Sequence, residues 1–318
     1  MEALITGIHH ITALASDPQK NVDFYTGILG LRLVKKTINF DAPDVYHFYF
    51  GDETGSPGTI LTFFPFPGAR KGQKGVGETT YTAFSVPKDA LPFWQERLTG
   101  LGFTLSTELE RFGEKLQCFE DHDGMGIELI ATGSDDRNGW TGGPIPAEFA
   151  IKGFHSATLN LRAQQLTADL LTEAMDYRLI GEEKNRFRFG TKGNPGDIID
   201  IVINQPASRS VQSAGTVHHI AFRTENEASQ REMQQRLWQY GQQVTEIKDR
   251  NYFQSIYFRE PGGILFEVAT DEPGFAIDEP VSELGQKLKL PEWAEPHRQK
   301  IEKSLPPIQV SPSNPPVE

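Results

Sequence analysis

The strongest constraint in this chain is an internal repeat. The segment Ser56-Pro57-Gly58-Thr59-Ile60-Leu61-Thr62-Phe63 resembles Glu260-Pro261-Gly262-Gly263-Ile264-Leu265-Phe266-Glu267, and a weaker copy stands at Asp121-His122-Asp123-Gly124-Met125-Gly126-Ile127-Glu128. Each is a turn signal followed by a strand. Each also closes a unit of about 50 residues with one internal order: a β-rich start, an amphipathic helix, then further strands. The units run over residues 7–65, 78–131, 154–204 and 217–270. Val22, Tyr25, Ile28 and Leu29 fall at helical spacing and predict a helix over 18–28 that Gly30 stops. Leu91, Trp94 and Leu98 predict a second over 88–98, a third is expected over 164–175, and Met233, Leu237 and Tyr240 predict a fourth over 227–240, ahead of Gly241.

Four βαβββ units predict an α+β chain of two tandem domains, residues 5–132 and 153–272. A linker rich in turn formers joins them over 133–152. An extension over 273–318 follows, with a helix expected near 292–303 and a Pro-rich, disordered end from Leu305 onward. At 318 residues the chain suffices for two domains, each with its own core. The net charge of −12 argues against nucleic acid or an anionic membrane as the main partner. No apolar run approaches the roughly 18 residues of a membrane span. With no basic, apolar leader pattern at the start, the cytoplasm is the expected location. The single cysteine, Cys118, excludes an intramolecular disulfide and a Cys-rich zinc site, and its apolar neighbours predict a small buried hydrophobe.

Against this frame stands a doubled histidine that occurs twice, at Gly7-Ile8-His9-His10-Ile11-Thr12 and Thr216-Val217-His218-His219-Ile220-Ala221. Neighbours on a strand point to opposite faces, so each pair is expected either to put one imidazole inside and one outside or to offer two groups, one behind the other, around a single site. A non-haem Fe(II) oxygenase site needs two neutral imidazoles and one carboxylate on one face of the metal. Unit four carries a histidine on its first strand and Glu267 on its last, and unit one has the matching pair, so units one and four are expected to share one cup. The second member of each pair is in phase with the alternation Ile8, His10, Thr12 and Val217, His219, Ala221, but the intervening residues are apolar too and leave the choice open. A rival set, Glu128, His155 and Asp200, lacks an imidazole pair, because Ser156 holds the register of His219 and unit two begins Thr80-Tyr81-Thr82. That second cup is expected to be structural. In unit one, alignment on the Pro-Gly turn sets Phe63, which cannot coordinate, against Glu267. His47 lies in Tyr46-His47-Phe48-Tyr49-Phe50, an aromatic strand suited to wall a pocket for a ring, but packing is its first expectation.

The repeat order resembles the vicinal oxygen chelate superfamily, whose paired units curl into cupped half-barrels around a divalent metal. The two histidine runs, with Gly113-Glu114, Gly153-Phe154-His155-Ser156, Asp249-Arg250-Asn251-Tyr252-Phe253-Gln254-Ser255-Ile256-Tyr257 and Pro261-Gly262-Gly263-Ile264-Leu265-Phe266-Glu267, narrow the resemblance to the hydroquinone ring-cleaving dioxygenases. That branch includes the dichlorohydroquinone dioxygenases and the MhqO-type proteins. The resemblance implies His10, His219 and Glu267 as metal ligands, with Fe(II) the metal and Mn(II) acceptable to the same set. It implies His9, Thr12, His218, Arg250 and Tyr257 as catalytic groups around them. It also implies a small aromatic diphenol and O2 as reactants, in quinone or aromatic detoxification; homo-oligomerisation is left open. Two other functions of the fold remain in play: a glyoxalase-type lyase or isomerase using Zn(II) or Ni(II), whose relatives close the metal with a fourth protein ligand, and a non-catalytic binding protein of the bleomycin-resistance kind.

Overall fold

The computed structural model describes residues 3–310. Each unit adopts the βαβββ order. Unit one supplies β1 (Gly7–Ala15), β2 (Arg32–Asn39), β3 (Ala42–Gly51) and β4 (Ile60–Pro65); unit two supplies β5 (Glu78–Pro87), β6 (Leu109–Arg111), β7 (Glu114–Glu120) and β8 (Gly126–Thr132). Unit three supplies β9 (Gly153–Leu161), β10 (Arg178–Glu183), β11 (Arg186–Gly190) and β12 (Ile198–Ile203); unit four supplies β13 (Val217–Thr224), β14 (Lys248–Asp249), β15 (Phe253–Arg259) and β16 (Leu265–Pro273).

The helices follow their caps. Asp17 accepts hydrogen bonds from the amides of Gln19 and Lys20 and starts α1 (Pro18–Val22), with Pro18 at the first helical position where its missing N–H costs nothing. The expected helix over 18–28 forms, but its second half, Asp23–Ile28, is wound as a π-helix. Unit three repeats this, α3 (Gln165–Asp169) passing into a π-helical Leu170–Ala174. Between them in sequence, α2 (Leu91–Gly100) starts later than its apolar spacing suggested. A capping box of Asn226 with Ser229 opens α4 (Glu227–Tyr240), and Gly241 closes it with a φ of 99°, where a β-carbon would be strained. Met233 and Leu237 of α4 are fully buried, each contributing about 1.5–3 kcal/mol.

The strands form two eight-stranded sheets, ordered β14-β15-β16-β13-β1-β4-β3-β2 and β10-β11-β12-β9-β5-β8-β7-β6. Unit one therefore shares a sheet with unit four, and unit two with unit three, although units one and two are neighbours in sequence. In every unit the first strand runs parallel to the last, and the first strands of the two units pair antiparallel at the centre of the sheet. Arg137 of the linker ties the sheets together, donating to the Gly58 carbonyl at 3.1 Å and the Phe154 carbonyl at 2.6 Å.

The extension is strapped to unit one. Lys35, wholly buried on β2, pairs with Asp278 at 2.6 Å and with Glu279. The last helix among the described residues is α5 (Arg298–Ser304), shorter than the helix expected over 292–303. The expectation of disorder from Leu305 fails for residues 305–310: Leu305 is buried, the Pro306 carbonyl accepts from Tyr46 Oη at 3.0 Å, and Gln309 exchanges two hydrogen bonds with the Gln19 side chain. Residues 311–318 lie outside the described residues. Among the described residues no helix is long and apolar enough to cross a membrane.

Candidate metal centre

The centre of the first sheet is where β1 meets β13. Thr12 lies opposite His219 and His10 opposite Ala221, so the two histidines are diagonal neighbours on one face. Glu267 on β16 stands beside Ala221 on that face, and Tyr257 on β15 stands beside Glu267. On the other side Thr62 of β4 stands beside Thr12, and Tyr49 of β3 beside Thr62. One row of side chains thus crosses six strands inside the cup.

His9 and His218 join it through two β-bulges. The pairing steps from Ile8–Phe222 to His10–Ala221, leaving His9 as an extra residue, and from Thr12–His219 to Ala13–Val217, leaving His218 as the extra residue of the other strand. A bulge re-aims the side chain it carries. Of the two arrangements open to each pair, the structure has both rings around one site: His9 Nδ1 lies 2.9 Å from His10 Nδ1, and His218 Nδ1 lies 2.7 Å from His219 Nδ1.

The remaining ligand-grade atoms converge. His219 Nε2 is 2.9 Å and His10 Nε2 is 3.4 Å from Glu267 Oε2, and the two nitrogens are 3.3 Å apart. Despite these short distances, Glu267 Oε2 is buried without a well-directed hydrogen bond, while Ser255 Oγ donates to the other carboxylate oxygen. If the Nδ1 atoms of His10 and His219 donate to their neighbours, both Nε2 atoms turn bare lone pairs toward this oxygen. Three unsatisfied acceptors in one spot suit a divalent cation, and these residues form the one three-ligand cluster of such spacing among the described residues. Burial, reinforced by neighbouring imidazoles, keeps His9 well below the ordinary histidine range and pushes His218 down to about 3, which holds both rings neutral.

Arg250 Nε donates to Tyr257 Oη at 3.1 Å, and burial, then the Glu267 carboxylate, holds the Tyr257 phenol above its ordinary range and protonated. Arg250 does not pair with Glu267. A cavity of about 70 Å³ is lined by the triad, Thr12, His218, Arg250 and Tyr257; His9 lines a separate cavity behind it. Seven rings close a collar around the metal-facing cavity. From His10 it passes to Phe253 at 4.9 Å, Tyr49 at 6.4 Å and His47 at 4.0 Å between centroids. It returns through Phe64 at 4.4 Å, His218 at 5.8 Å and His219 at 5.0 Å, with 5.5 Å back to His10.

Two expectations change here. His47 does not merely pack: it lines the cavity and bonds at both nitrogens, Nε2 to Thr62 Oγ1 and Nδ1 to Tyr49 Oη, each at 2.9 Å. The residue of unit one that corresponds to Glu267 is Thr62, beside Thr12 as Glu267 is beside Ala221, whereas Phe63 faces outward against Tyr25 at 4.5 Å. The turn before β16 holds one residue more than the turn before β4, and a one-residue slip exchanges the faces of a strand. Thr62, Tyr49, Phe253 and Ser255 were missed from sequence; the alternation of β3 and β15 was the available signal.

The second sheet has the same bulges, at Thr80 and His155, so Tyr81, Ser156 and Asp200 hold the positions of His10, His219 and Glu267, and Glu128 that of Thr62. No ligand-grade gap remains. Asp200 accepts from Arg188 Nε at 2.9 Å and Arg186 Nη1 at 2.9 Å; Glu128 pairs with Arg111 at 2.7 Å; and His155 Nε2 meets Glu114 at 2.9 Å.

The profile of the Glyoxalase/Bleomycin resistance protein/Dioxygenase superfamily matches residues 7–129 and 153–268. The chain belongs to this superfamily. Within it, the chain is 48% identical to a Bacillus subtilis (strain 168) protein named as a ring-cleaving dioxygenase, MhqO, over 96% of this chain and 97% of the relative. It is 36% identical to the chlorohydroquinone/hydroquinone 1,2-dioxygenase of Sphingobium indicum, over 90% and 91% of the two chains. A crystal structure described as a dioxygenase from Bacillus subtilis superposes with a TM-score of 0.94 at 46% identity, covering 98% of this chain and 99% of that one. Glyoxalase I from Zea mays, at 14% identity and a TM-score of 0.63, over 83% of this chain and 92% of that one, shares the fold.

Proposed function

We propose that this superfamily member is a ring-cleaving dioxygenase that binds Fe(II) through His10, His219 and Glu267 and opens the ring of a hydroquinone or related diphenol. The observation that carries this reading is the orphaned carboxylate oxygen of Glu267 facing two imidazole nitrogens at the floor of an aromatic collar. The named relatives support the reaction class. Mn(II) suits the same donor set. When bound, the metal supplies a coordination site for one ring oxygen and for O2, and the electrons through which O2 is activated.

The chain's own groups do the rest. His9 and His218 take the Nδ1 protons of the ligating rings, which orients them and raises their donor strength. His218 also lines the cavity; with its Nδ1 accepting from His219, the neutral ring carries its proton on Nε2 and would donate a hydrogen bond from there to the diol oxygens. Arg250 stabilises negative charge on the reacting oxygens, and Tyr257, kept protonated, donates a hydrogen bond or proton to them. Thr12 lines the cavity beside the two histidines and shares a hydrogen bond with Thr62 at 2.8 Å. Thr62, a neutral hydroxyl, holds the position corresponding to Glu267, where a second carboxylate would supply a fourth protein ligand.

A cavity of about 70 Å³ is smaller than the roughly 150 Å³ that accommodates a benzene ring, so entry of a substrate requires a wall to yield. The turn at Phe40 and Asp41 lines the mouth; Asp41 is exposed, and Phe40 is half-buried and edge-on to Trp293 of the extension at 6.1 Å.

Anaerobic loading with Fe(II), followed by oxygen-electrode readings with methylhydroquinone, hydroquinone and catechol, tests the reading. Oxygen uptake with one O2 consumed per ring opened is the expected result. Absence of uptake with every diphenol would refute the reaction. Stoichiometric metal retained in His219→Ala would refute the ligand assignment.

A further inference from the structure

His47 and Tyr49 stand across the collar from His10 and His219. Going round the rings, Phe253 separates Tyr49 from His10 on one side, and Phe64 and His218 separate His47 from His219 on the other. The cavity therefore has a metal pole and an opposite polar pole with aromatic walls between. Both polar-pole residues line the cavity. They are joined to each other at 2.9 Å, and the chain continues from His47 to Thr62 at 2.9 Å and from Thr62 to Thr12 at 2.8 Å.

We propose that the Tyr49–His47 pair is the subsite for the diphenol hydroxyl that the metal does not hold, selecting a para-diol over an ortho-diol. This rests on the ring-cleaving reading above. The two oxygens of a hydroquinone lie at opposite ends of the ring, so one at the metal pole puts the other at the polar pole. A catechol keeps both oxygens at the metal pole and leaves the pair unused. Neutral His47 carries one ring proton and must donate to one neighbour and accept from the other. If Tyr49 donates to His47 Nδ1, the Tyr49 oxygen accepts from the distal hydroxyl; if His47 donates to Tyr49, Tyr49 donates to that hydroxyl. Either direction gives the distal hydroxyl one fixed partner. Ring cleavage adds O2 and neither takes up nor releases hydrogen overall, so the distal O–H is held, with no net loss of its proton.

A binding cycle that needs no turnover tests the subsite. The protein is loaded with redox-inert Zn(II), and the dissociation constants of hydroquinone and phenol are measured by calorimetry in wild type, Tyr49→Phe and His47→Leu. Phenol lacks only the distal hydroxyl. Wild type is expected to bind hydroquinone about tenfold tighter than phenol, and each variant is expected to bring that ratio to about one while leaving phenol affinity within twofold. A ratio unchanged in both variants overturns the subsite, as does an equal loss of affinity for both ligands. With the Fe(II) form, Tyr49→Phe is expected to lower kcat/KM for hydroquinone about tenfold and for catechol less than twofold. Oxygen uptake by wild type is read separately, so a protein that passes the binding cycle but consumes no O2 refutes the reaction and leaves the subsite standing.

Discussion

The two cups of this molecule have the same strand order, the same parallel pairing of first and last strands, and bulges at matching positions. They differ in how a buried carboxylate finds its positive charge. In the second cup, Asp200 has Arg188 opposite it on β11 and Arg186 two residues away. In the first, the residues at those positions beside Glu267 are Tyr257 and Ser255. Ser255 donates a hydrogen bond and Tyr257 brings none of the missing charge, so the carboxylate is left to the imidazoles and to a metal. Leaving a charge buried and unpaired costs several kcal/mol. The same scaffold is thus a charge-neutralised structural unit when arginines stand on the flanking strand and a candidate metal site when neutral side chains do. In the second cup Phe112 also lies against Arg188, whose guanidinium carbon is 4.2 Å from the ring centroid, and packs beside Gly181.

The sharpest way to break this comparison is to give the first cup the second cup's solution. Tyr257→Arg places a guanidinium opposite Glu267, and metal retained after gel filtration is expected to fall by more than tenfold, with the far-ultraviolet circular dichroism unchanged. Full metal occupancy would mean that neutral flanking residues are not what keeps the site open. Next in size is Asp200→Asn, which leaves Arg186 and Arg188 without their buried partner. Urea unfolding is expected to register a loss of about 3–5 kcal/mol, while the folded protein keeps its metal.

A smaller effect separates the cups by pH. Burial by itself would raise the Glu114 carboxyl, but its hydrogen bonds and charge pairing with His155 and Arg188 outweigh this and hold it down to about 2. An unfolded glutamate titrates near 4.3. The pairing therefore contributes stability that is fully present above that value and is lost as pH falls through about 2. Glu114 is partly exposed, so the advantage of wild type over Glu114→Gln is expected to be only about 1–2 kcal/mol at neutral pH, shrinking to nothing on acidification below 4.3. An advantage that stays constant down to the acid limit would show that charge pairing is not its source. The mildest test concerns Cys118. Burial, then the Glu128 carboxylate, pushes its thiol up to about 12, so iodoacetamide at pH 8 is expected to alkylate it about a thousandfold more slowly than a free thiol, as followed by mass spectrometry.

Much of the site was legible before the fold was known, because it depends on residue types placed at equivalent points of a repeat. The Pro-Gly turns marked the ends of units, the doubled histidines marked matching first strands, and Glu267 closed the only unit offering both an imidazole and a carboxylate in register. What escaped were features set by single-residue shifts in pairing. Alternation left open whether His9 and His218 take the far face or stand beside the site; the bulges that bring them beside His10 and His219 leave no mark in a run of apolar residues. Alignment predicted Phe63 opposite Glu267; the strand register brings Thr62 there. Residues such as His47 and Tyr49, two apart in an aromatic strand, looked like packing because nothing local distinguishes a core face from the wall of a cavity.

The sequence by itself determined the four-unit order, the helix positions to within a few residues, and a candidate triad of two imidazoles and one carboxylate. These follow from local periodicity and from the chemistry a metal requires. Only the tertiary structure decided that the first cup keeps its carboxylate unpaired while the second neutralises its own. That outcome depends on which side chain of a flanking strand stands opposite Glu267 or Asp200, and register between strands is set by bulges and turn lengths acting across the whole sheet.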